Sequence, residues 1–258
     1  MAEPRPSRFA SLELKPARQV AAGTGGAPLR DAAYYMSEGL RMELAGDHEK
    51  ALNQYSAALG ETPLHLEAWA AQLWMLIYLG EPIEAQLWAD RALETFPNQP
   101  DLLALKSLAL GRCGMMEEAW EQNDAALEGG RGSAVVWLAR GELRLATEDV
   151  TAEACFRHAL AASTDRPLTA LRSGDICLFH RRFAEAEGYL REATAGRPDS
   201  AWAWYGYGLA QRALGWENPA LAAFARAARL EPGDQRYQAA LDRKRNWRER
   251  LRHWLISK

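Results

Sequence analysis

Pairs of alanines recur along the chain at a nearly constant interval. The second alanine of each pair follows the first by seven residues, and successive pairs are 33 or 34 residues apart. The six pairs are Ala51 and Ala58, Ala85 and Ala92, Ala119 and Ala126, Ala152 and Ala159, Ala186 and Ala193, and Ala220 and Ala227. A period of this length is typical of arrays in which one supersecondary unit is repeated and stacked. The sequence therefore predicts six units of one repeated structure.

Glycine and proline keep the same phase as the alanines. A glycine precedes the first alanine of the pair by five residues at Gly46, Gly80, Gly114 and Gly215. A proline follows it by twelve residues at Pro63, Pro97, Pro198 and Pro232. Each unit also contains two stretches with an apolar period of about 3.6 residues, the first ending at the glycine and the second before the proline, as helix ends do. A helical hairpin is therefore predicted in every unit.

Two further positions follow the same phase less strictly. Twelve residues before the first alanine stand Gly39, Leu73, Ser107, Gly174 and Gly208, with Gly141 one place off. Four residues after it stand Tyr55, Ala89, Asn123, Phe156, Leu190 and Phe224. The two small alanines of a pair let helices approach closely, and we expect the large residue between them to fill the gap between neighbouring units.

With aromatic residue, glycine, two alanines and proline all in phase, residues 32 to about 233 resemble the tetratricopeptide-repeat family and its W-LG-Y-A-F-A-P pattern. The departures are Asn123 at an aromatic position, GGRG at residues 129–132 where proline belongs, and a fourth unit one residue short. We expect an irregular junction there. The resemblance implies an all-α fold, a right-handed α-solenoid of about six helical hairpins with a C-terminal capping helix.

The repeat also predicts the organisation of the chain. A single hairpin cannot cover its own apolar face, so neighbours must stack, and we expect an open coil of helices over residues 31–233. Residues 1–30, rich in proline, alanine and glycine, are predicted to be disordered. Residues 234–258 are predicted to form the capping helix, opened by Asp234. Its apolar side would carry Tyr237, Leu241, Trp247, Leu251 and Trp254.

Basic and acidic residues are distributed unevenly along the chain. The net charge is −3, but residues 1–30 hold five basic and two acidic side chains and residues 234–258 hold eight and three. The remaining 18 basic and 29 acidic residues give the body a charge of −11. Because nucleic acid is bound by clustered Lys and Arg, the acidic body disfavours it as the main ligand.

The basic end of the chain is a candidate binding surface of its own. Such a cluster suits nucleic acid, an anionic membrane surface or an acidic partner protein, and the alternative is a solvated face on a capping helix. Its residues are Arg243, Lys244, Arg245, Arg248, Arg250 and Arg252.

Signatures of catalysis, metals and cofactors are not found in the sequence. The five histidines are scattered without the spacing of metal ligands, and they are interpreted as surface residues. Cys113, Cys155 and Cys177 are too far apart for a zinc site and are expected to be free thiols. We therefore expect neither an enzyme nor a cofactor. The sequence also shows no long apolar span and no secretory signal, so a cytoplasmic protein is expected.

The resemblance implies where a partner would bind. In the family, the first helices of successive units line a concave groove, and the matching row suits an extended peptide or a helix. Carried onto this chain residue by residue, the row is Met36, Leu40, Trp74, Tyr78, Leu108, Arg112, Leu138, Glu142, Asp175, Phe179, Trp202, Tyr205 and Arg212. Members that clamp a chaperone's C-terminal carboxylate place Lys and Asn along this row. Here the row begins with Met36 and Leu40, so that ligand is not expected.

Three functions remain open from the sequence. The first is a non-enzymatic scaffold or adaptor that holds protein or peptide partners in the groove, as a subunit of a larger assembly. The second is a chaperone of the bacterial type for a secreted or assembly-prone client. The third is a tether to nucleic acid or an anionic membrane through the basic C-terminal helix.

Overall fold

A computed structural model describes residues 30–128 and 132–242. Within these residues the chain is all-helical. The helices are α1 (Ala32–Ala45), α2 (His48–Glu61), α3 (Leu66–Tyr78), α4 (Pro82–Thr95), α5 (Pro100–Arg112), α6 (Met116–Glu128), α7 (Ala134–Ala146), α8 (Ala152–Ala162), α9 (Arg166–Phe179), α10 (Phe183–Gly196), α11 (Ala201–Ala213), α12 (Glu217–Leu230) and α13 (Gln235–Leu241).

Consecutive helices pair into six hairpins, from hairpin 1 (α1 and α2) to hairpin 6 (α11 and α12). The second helix of a hairpin also packs against the first helix of the next, as α2 does against α3 and α10 against α11. The first helices contact one another in turn, α3 with α5, α5 with α7, α7 with α9 and α9 with α11. They form the inner layer, and the second helices form the outer layer. The fold is thus an α-solenoid of helical hairpins.

The helix ends follow the sequence signals closely. Asp47 and Ser200 are N-cap residues whose side chains accept the backbone N–H three residues on, which satisfies a donor that the helix itself leaves unpaired. The four in-phase glycines, Gly46, Gly80, Gly114 and Gly215, all have positive φ, between 76° and 84°. Helix α12 begins at Glu217, with Trp216 as its N-cap residue, so Pro219 is its third residue.

The in-phase large residues fill the space inside their own hairpins, and Phe156 and Leu190 also reach the next unit, as expected. A Cβ atom added to Gly208 would lie 2.6 Å from the ring of Phe224, on the second helix of the same hairpin. Gly39 faces Tyr55, Gly141 faces Phe156 and Gly174 faces Leu190 in the same way. The missing side chain is therefore what lets the two helices of a hairpin close around one large residue.

Gly208→Ala should accordingly destabilise the protein. Because the ring of Phe224 is rigid and fully buried, the added methyl group must force the helices apart, at a cost of about 1–3 kcal/mol in the free energy of unfolding. Gly188→Ala is the matched control, since nothing lies within 4 Å of a Cβ atom there. In the middle of α10 it should stabilise by about 0.5–1 kcal/mol. Denaturant titration followed by circular dichroism measures both, and equal effects would contradict the packing argument.

The expected irregularity falls between hairpins 3 and 4, where residues 129–131 lie outside the described part of the chain. Asn123, at the aromatic position, is buried and donates to the carbonyl oxygen of Val136 at 3.3 Å. It also accepts from Arg140 at 2.9 Å. A polar link between α6 and α7 thus replaces the usual aromatic filling.

The prediction of an open coil is wrong, because the array winds back onto itself. The C-terminal end of α1 contacts the N-terminal ends of α11 and α13. Each repeat adds a small rotation and translation, and six of them bring the end of the chain onto its beginning. Hairpin 1 therefore touches both its sequence neighbour and the far end of the array.

Only part of the predicted capping helix lies in the described residues. Asp234 caps α13 as expected, and Tyr237 is fully buried against Tyr205, with ring centroids 5.1 Å apart. Trp247, Leu251, Trp254 and the basic C-terminal residues lie outside the described residues, as does nearly all of the predicted N-terminal segment. The roles assigned to these residues stay predictions.

Candidate functional site

The residues predicted to line the groove lie on the inner layer, but the inner layer is filled by their own side chains. Trp74 is only 1% exposed, and Leu108, Leu138 and Glu142 are buried as well. The other nine residues of the row are partly buried: Met36, Leu40, Tyr78, Arg112, Asp175, Phe179, Trp202, Tyr205 and Arg212. Seven residues of the row form three clusters with residues outside it, namely Glu43, His48, Tyr55, Arg172 and His180, and these clusters together we call the inner face.

The first cluster is an ion pair between the two ends of the array. Arg172 on α9 donates from Nη2 to Oε1 of Glu43 on α1 at 3.0 Å, although 129 residues separate them. The hydroxyl of Tyr55 donates to Oε2 of Glu43 at 2.8 Å, and the guanidinium of Arg172 lies 4.8 Å from the ring centre of Trp74. Burial lowers the pKa of Arg172, but the charge and hydrogen bond of Glu43, together with the nearby Tyr78 and Tyr55, outweigh burial, so the pKa is raised.

The second cluster joins three consecutive inner helices. Arg112 on α5 donates from Nε and Nη2 to the carboxylate of Glu142 on α7, at 2.7 and 3.2 Å. Its guanidinium lies 4.3 Å from the ring centre of Phe179, the last residue of α9, and Nε2 of His180, the C-cap residue of that helix, lies 3.7 Å from Glu142. Burial raises the pKa of Glu142, but the charge and hydrogen bonds of Arg112, together with the nearby His180, outweigh burial, so the pKa is lowered. The predicted groove residues Arg112 and Glu142 thus neutralise each other.

The third cluster is an aromatic stack around Asp175. His48 stacks on Tyr78 with ring centroids 4.7 Å apart and meets Trp202 edge-on at the same distance. The indole N–H of Trp202 donates to Oδ2 of Asp175 at 2.9 Å. The interpretation of His48 as a surface residue is wrong, because it is buried, and burial lowers its pKa to about 4.

Next to these clusters the two ends of the array meet in a seam of side-chain hydrogen bonds. The seam consists of Leu44, Ala45 and Gly46 on one side and Ser200, Arg236 and Tyr237 on the other. The side chains of the second group donate to the main-chain carbonyl oxygens of the first: Ser200 to Leu44 at 3.0 Å, Arg236 to Gly46 at 2.9 Å and Tyr237 to Ala45 at 2.6 Å. These carbonyls end α1, where no helical N–H is left for them. The seam thus supplies their missing partners.

Tyr205 and Arg212 contact α13. Arg212 donates from Nη2 to the carbonyl oxygen of Ala240 at 2.6 Å, and its guanidinium lies 4.2 Å from the ring centre of Phe224. Tyr205 packs against Phe224 and Tyr237. The two residues therefore join α11 to α12 and α13.

Asp175 makes the inner face sensitive to pH. Burial raises the pKa of Asp175 to about 7, although the hydrogen bond from Trp202 and the nearby hydroxyl of Tyr78 lower it in part. The folded chain therefore binds this proton more tightly than the unfolded chain, and the resulting stability is lost as the pH rises through about 7. Between pH 6.5 and pH 8 the wild type should lose about 0.8 kcal/mol of unfolding free energy relative to Asp175→Asn, which lacks the titrating carboxyl group.

His48 affects stability in the same pH range with the opposite sign. Its pKa is lowered from 6.5 to about 4, so it contributes stability that is lost as the pH falls through 6.5. Because this contribution is present in both proteins, denaturant titrations of the wild type and Asp175→Asn at each pH isolate Asp175 by difference. A difference between the two proteins that does not change with pH would assign the effect to another group.

Sequence reasoning missed Glu43, His48, Arg172 and Ser200 as members of this region. Glu43 carried one signal, since it is a carboxylate on the apolar side of α1 beside Leu44. Each of these residues has at least one partner more than 100 positions away in the sequence, as Ser200 has in Leu44 and Arg172 has in Glu43. No periodicity within a unit could have indicated such pairs.

Neither a metal cluster nor a membrane span was found in residues 30–128 and 132–242. No group of three or more His, Cys, Asp or Glu side chains in this part of the chain could hold a metal ion. No helix within it is long and apolar enough to cross a bilayer. The three cysteines are free thiols, as expected.

Solved structures show the same fold. The Cut9–Hcn1 hetero-tetramer of the APC/C matches with a TM-score of 0.50 and 14% identity, over 84% of this chain and 43% of that chain. The chain thus spans less than half the length of that structure. PilW, a type IV pilus biogenesis factor, matches with a TM-score of 0.49 and 19% identity, over 82% and 98%. A tetratricopeptide repeat protein from Parabacteroides merdae matches with 0.49 and 17%, over 83% and 84%.

The fold of this chain is that of the tetratricopeptide-repeat proteins, as the resemblance in its sequence implied. No family model and no curated protein matches the sequence. The likeness establishes the fold, and the function has to be argued from the inner face and the surface.

Proposed function

We propose that the protein is a non-catalytic scaffold that binds a partner protein or peptide on its inner face, as a subunit of a larger assembly. The observation that carries the proposal is the inner face itself, where aromatic rings and charged groups from all six hairpins converge. Aromatic and arginine side chains of this kind are the residues that dominate binding at protein interfaces. In the closed array they bind one another, so a partner would have to replace hairpin 1.

The free-energy cost of opening the seam is small enough to allow such an exchange. Its hydrogen bonds end on the last carbonyls of α1, which water can satisfy when the seam opens. Separation of hairpin 1 would uncover Trp202, Tyr78 and Arg172, which now contact His48 and Glu43. A partner segment that carries an aromatic group and a carboxylate would reproduce these contacts.

The test compares the affinity of the partner for variants with an opened and a closed seam. Gly46→Ala places a methyl group against Tyr237 and Trp202, whereas Gly80→Ala changes the same type of helix end with nothing within 4 Å. After affinity purification from the native cell and identification by mass spectrometry, the purified partner is titrated against each variant. Binding should be stronger for Gly46→Ala than for Gly80→Ala. Equal affinities would mean that the partner binds outside the inner face.

The chaperone and tether hypotheses stay predictions, since no described contact favours either. The tether depends on the six basic residues between Arg243 and Arg252, which lie outside the described part of the chain.

A further inference from the structure

Hairpin 4 differs from the other five in the turn between its helices. Five residues, 147–151, connect α7 to α8, whereas two or three residues connect the helices of the other hairpins. Helix α8 has 11 residues, and the other second helices have 13 or 14. Glu148 in this turn has a positive φ of 57°, although it is not glycine. The residues that would form the first turn of α8 thus form a loop.

The missing helical turn leaves a pocket between hairpins 4 and 5. The cavity has a volume of about 90 Å³, more than one water molecule needs, and it lies between the start of α8 and helix α10. Phe156 and Tyr189 form its apolar wall and meet edge to face, with ring centroids 5.7 Å apart. Val150 stands beside the opening and is 91% exposed. The pocket is therefore accessible from the surface at the turn of hairpin 4.

Carboxylates surround this apolar wall. Asp149, Glu153 and Glu185 line the pocket, together with the single cation Arg182. Asp149 is paired with Arg144, and Glu185 with Arg182. Glu153 has no ion pair among residues 30–128 and 132–242. Hydrogen bonds from Thr151 lower the pKa of Asp149, so this carboxylate is ionised at neutral pH.

One feature of the pocket favours an anion instead. The N-terminal end of α8, which carries partial positive charge, lies at the pocket. Asp149 accepts the N–H of Thr151 at 2.8 Å, and Glu153 lies in the first turn of the helix, so two carboxylates already offset this charge. An acidic ligand would meet three carboxylates, while an uncharged apolar ligand would leave Glu153 without a partner.

We propose that this pocket binds the side chain of a lysine or arginine in a basic segment of a partner protein. The alkyl stem would pack against Phe156 and Tyr189, and the cationic group would lie beside an aromatic face and Glu153. The acidic surface around the pocket also favours a basic partner segment. Residues 31–233 carry a net charge of −11, and α6 of the preceding hairpin exposes four further glutamates, Glu117, Glu118, Glu121 and Glu128.

The site is separate from the inner face, so its test does not depend on the seam. The full-length, isotope-labelled protein is titrated with the peptide acetyl-Gly-Gly-Lys-Gly-Gly-amide and followed by two-dimensional NMR. The same peptide with norleucine at the central position has an uncharged stem of equal length. The lysine peptide should shift the amide signals of Val150, Glu153 and Tyr189 and bind at least about tenfold more tightly than the norleucine peptide, as an ion pair combined with a cation–π contact allows.

Two matched substitutions decide whether the pocket carries the binding. Glu153→Gln should weaken binding of the lysine peptide about fivefold or more, because it removes the one carboxylate without an ion pair. Glu121→Gln removes an equal charge from the exposed face of α6 and should change the affinity less than about twofold. Equal losses, or equal binding of the norleucine peptide, would overturn the proposal.

The chain's own basic end is the competing occupant. Residues 243–258 hold seven basic side chains and one acidic side chain. If they filled the pocket, Glu153→Gln would shift the signals of Arg243 to Arg252 in the absence of any peptide, whereas Glu121→Gln would not. That result would overturn the assignment to a partner protein. Unchanged signals together with binding of the lysine peptide would support it.

Discussion

Arg172→Met should destabilise the protein by about 3–5 kcal/mol, because it leaves the carboxylate of Glu43 buried without its cation. The loss should be large for a single ion pair, since Glu43 is 1% exposed and the guanidinium of Arg172 also lies against Trp74. Denaturant titration measures the change in unfolding free energy. Part of the loss should appear as separation of hairpin 1, which small-angle X-ray scattering detects as an increased radius of gyration.

Two controls make this prediction specific. Arg191→Met removes an exposed guanidinium whose partner Glu187 is 3.7 Å away, and it should cost less than about 1 kcal/mol. The double substitution Glu43→Gln/Arg172→Met removes both charges and should recover part of the loss, since no unpaired charge then stays buried. If Arg172→Met cost no more than Arg191→Met, the ion pair would not hold the two ends of the array together.

Gly46→Ala should open the seam, and it is the second substitution with a large expected effect. Gly46 has a φ of 83°, and an added Cβ atom would lie 2.7 Å from the ring of Trp202 and closer still to the hydroxyl of Tyr237. The backbone strain costs about 1–2 kcal/mol. Displacement of Tyr237 and Trp202 should add about 1–3 kcal/mol, because both side chains are held by the contacts of the seam and the inner face.

Gly80→Ala separates the two contributions. Gly80 has a φ of 76° and also follows a first helix, but nothing lies within 4 Å of a Cβ atom there. It should therefore show the backbone cost alone and leave the fluorescence of Trp202 unchanged. A red shift of the tryptophan emission maximum and a larger radius of gyration are expected for Gly46→Ala only. Equal stabilities and equal scattering curves for the two variants would show that the seam does not hold the array closed.

The inner face also changes how the predicted groove can be tested. Alanine substitution of Trp74 would remove a side chain that is 1% exposed, and truncation of a buried tryptophan costs about 3–5 kcal/mol. Loss of partner binding in such a variant would report the loss of the fold. Gly46→Ala and Gly80→Ala avoid this difficulty, since they leave every aromatic side chain of the inner face in place.

The repeat was predictable because it depends on contacts between residues close in sequence. A small residue in one helix, a glycine at the turn and a large residue in the next helix, such as Gly208, Gly215 and Phe224, all lie within one unit. Their spacing is visible in the sequence, and so are the N-cap residues Asp47 and Ser200. The irregular turn of hairpin 4 was visible only as a unit one residue short, and the pocket beside it was not predicted.

The sequence by itself determined the number of hairpins, their boundaries and the family that they resemble, because each depends on local periodicity. The tertiary structure alone decided that the array winds onto its own beginning. That outcome depends on the sum of small rotations between successive units and on pairs such as Glu43 with Arg172, which lie in units 1 and 5. Since no local pattern records such a sum, residues predicted to face an open groove instead pack against one another.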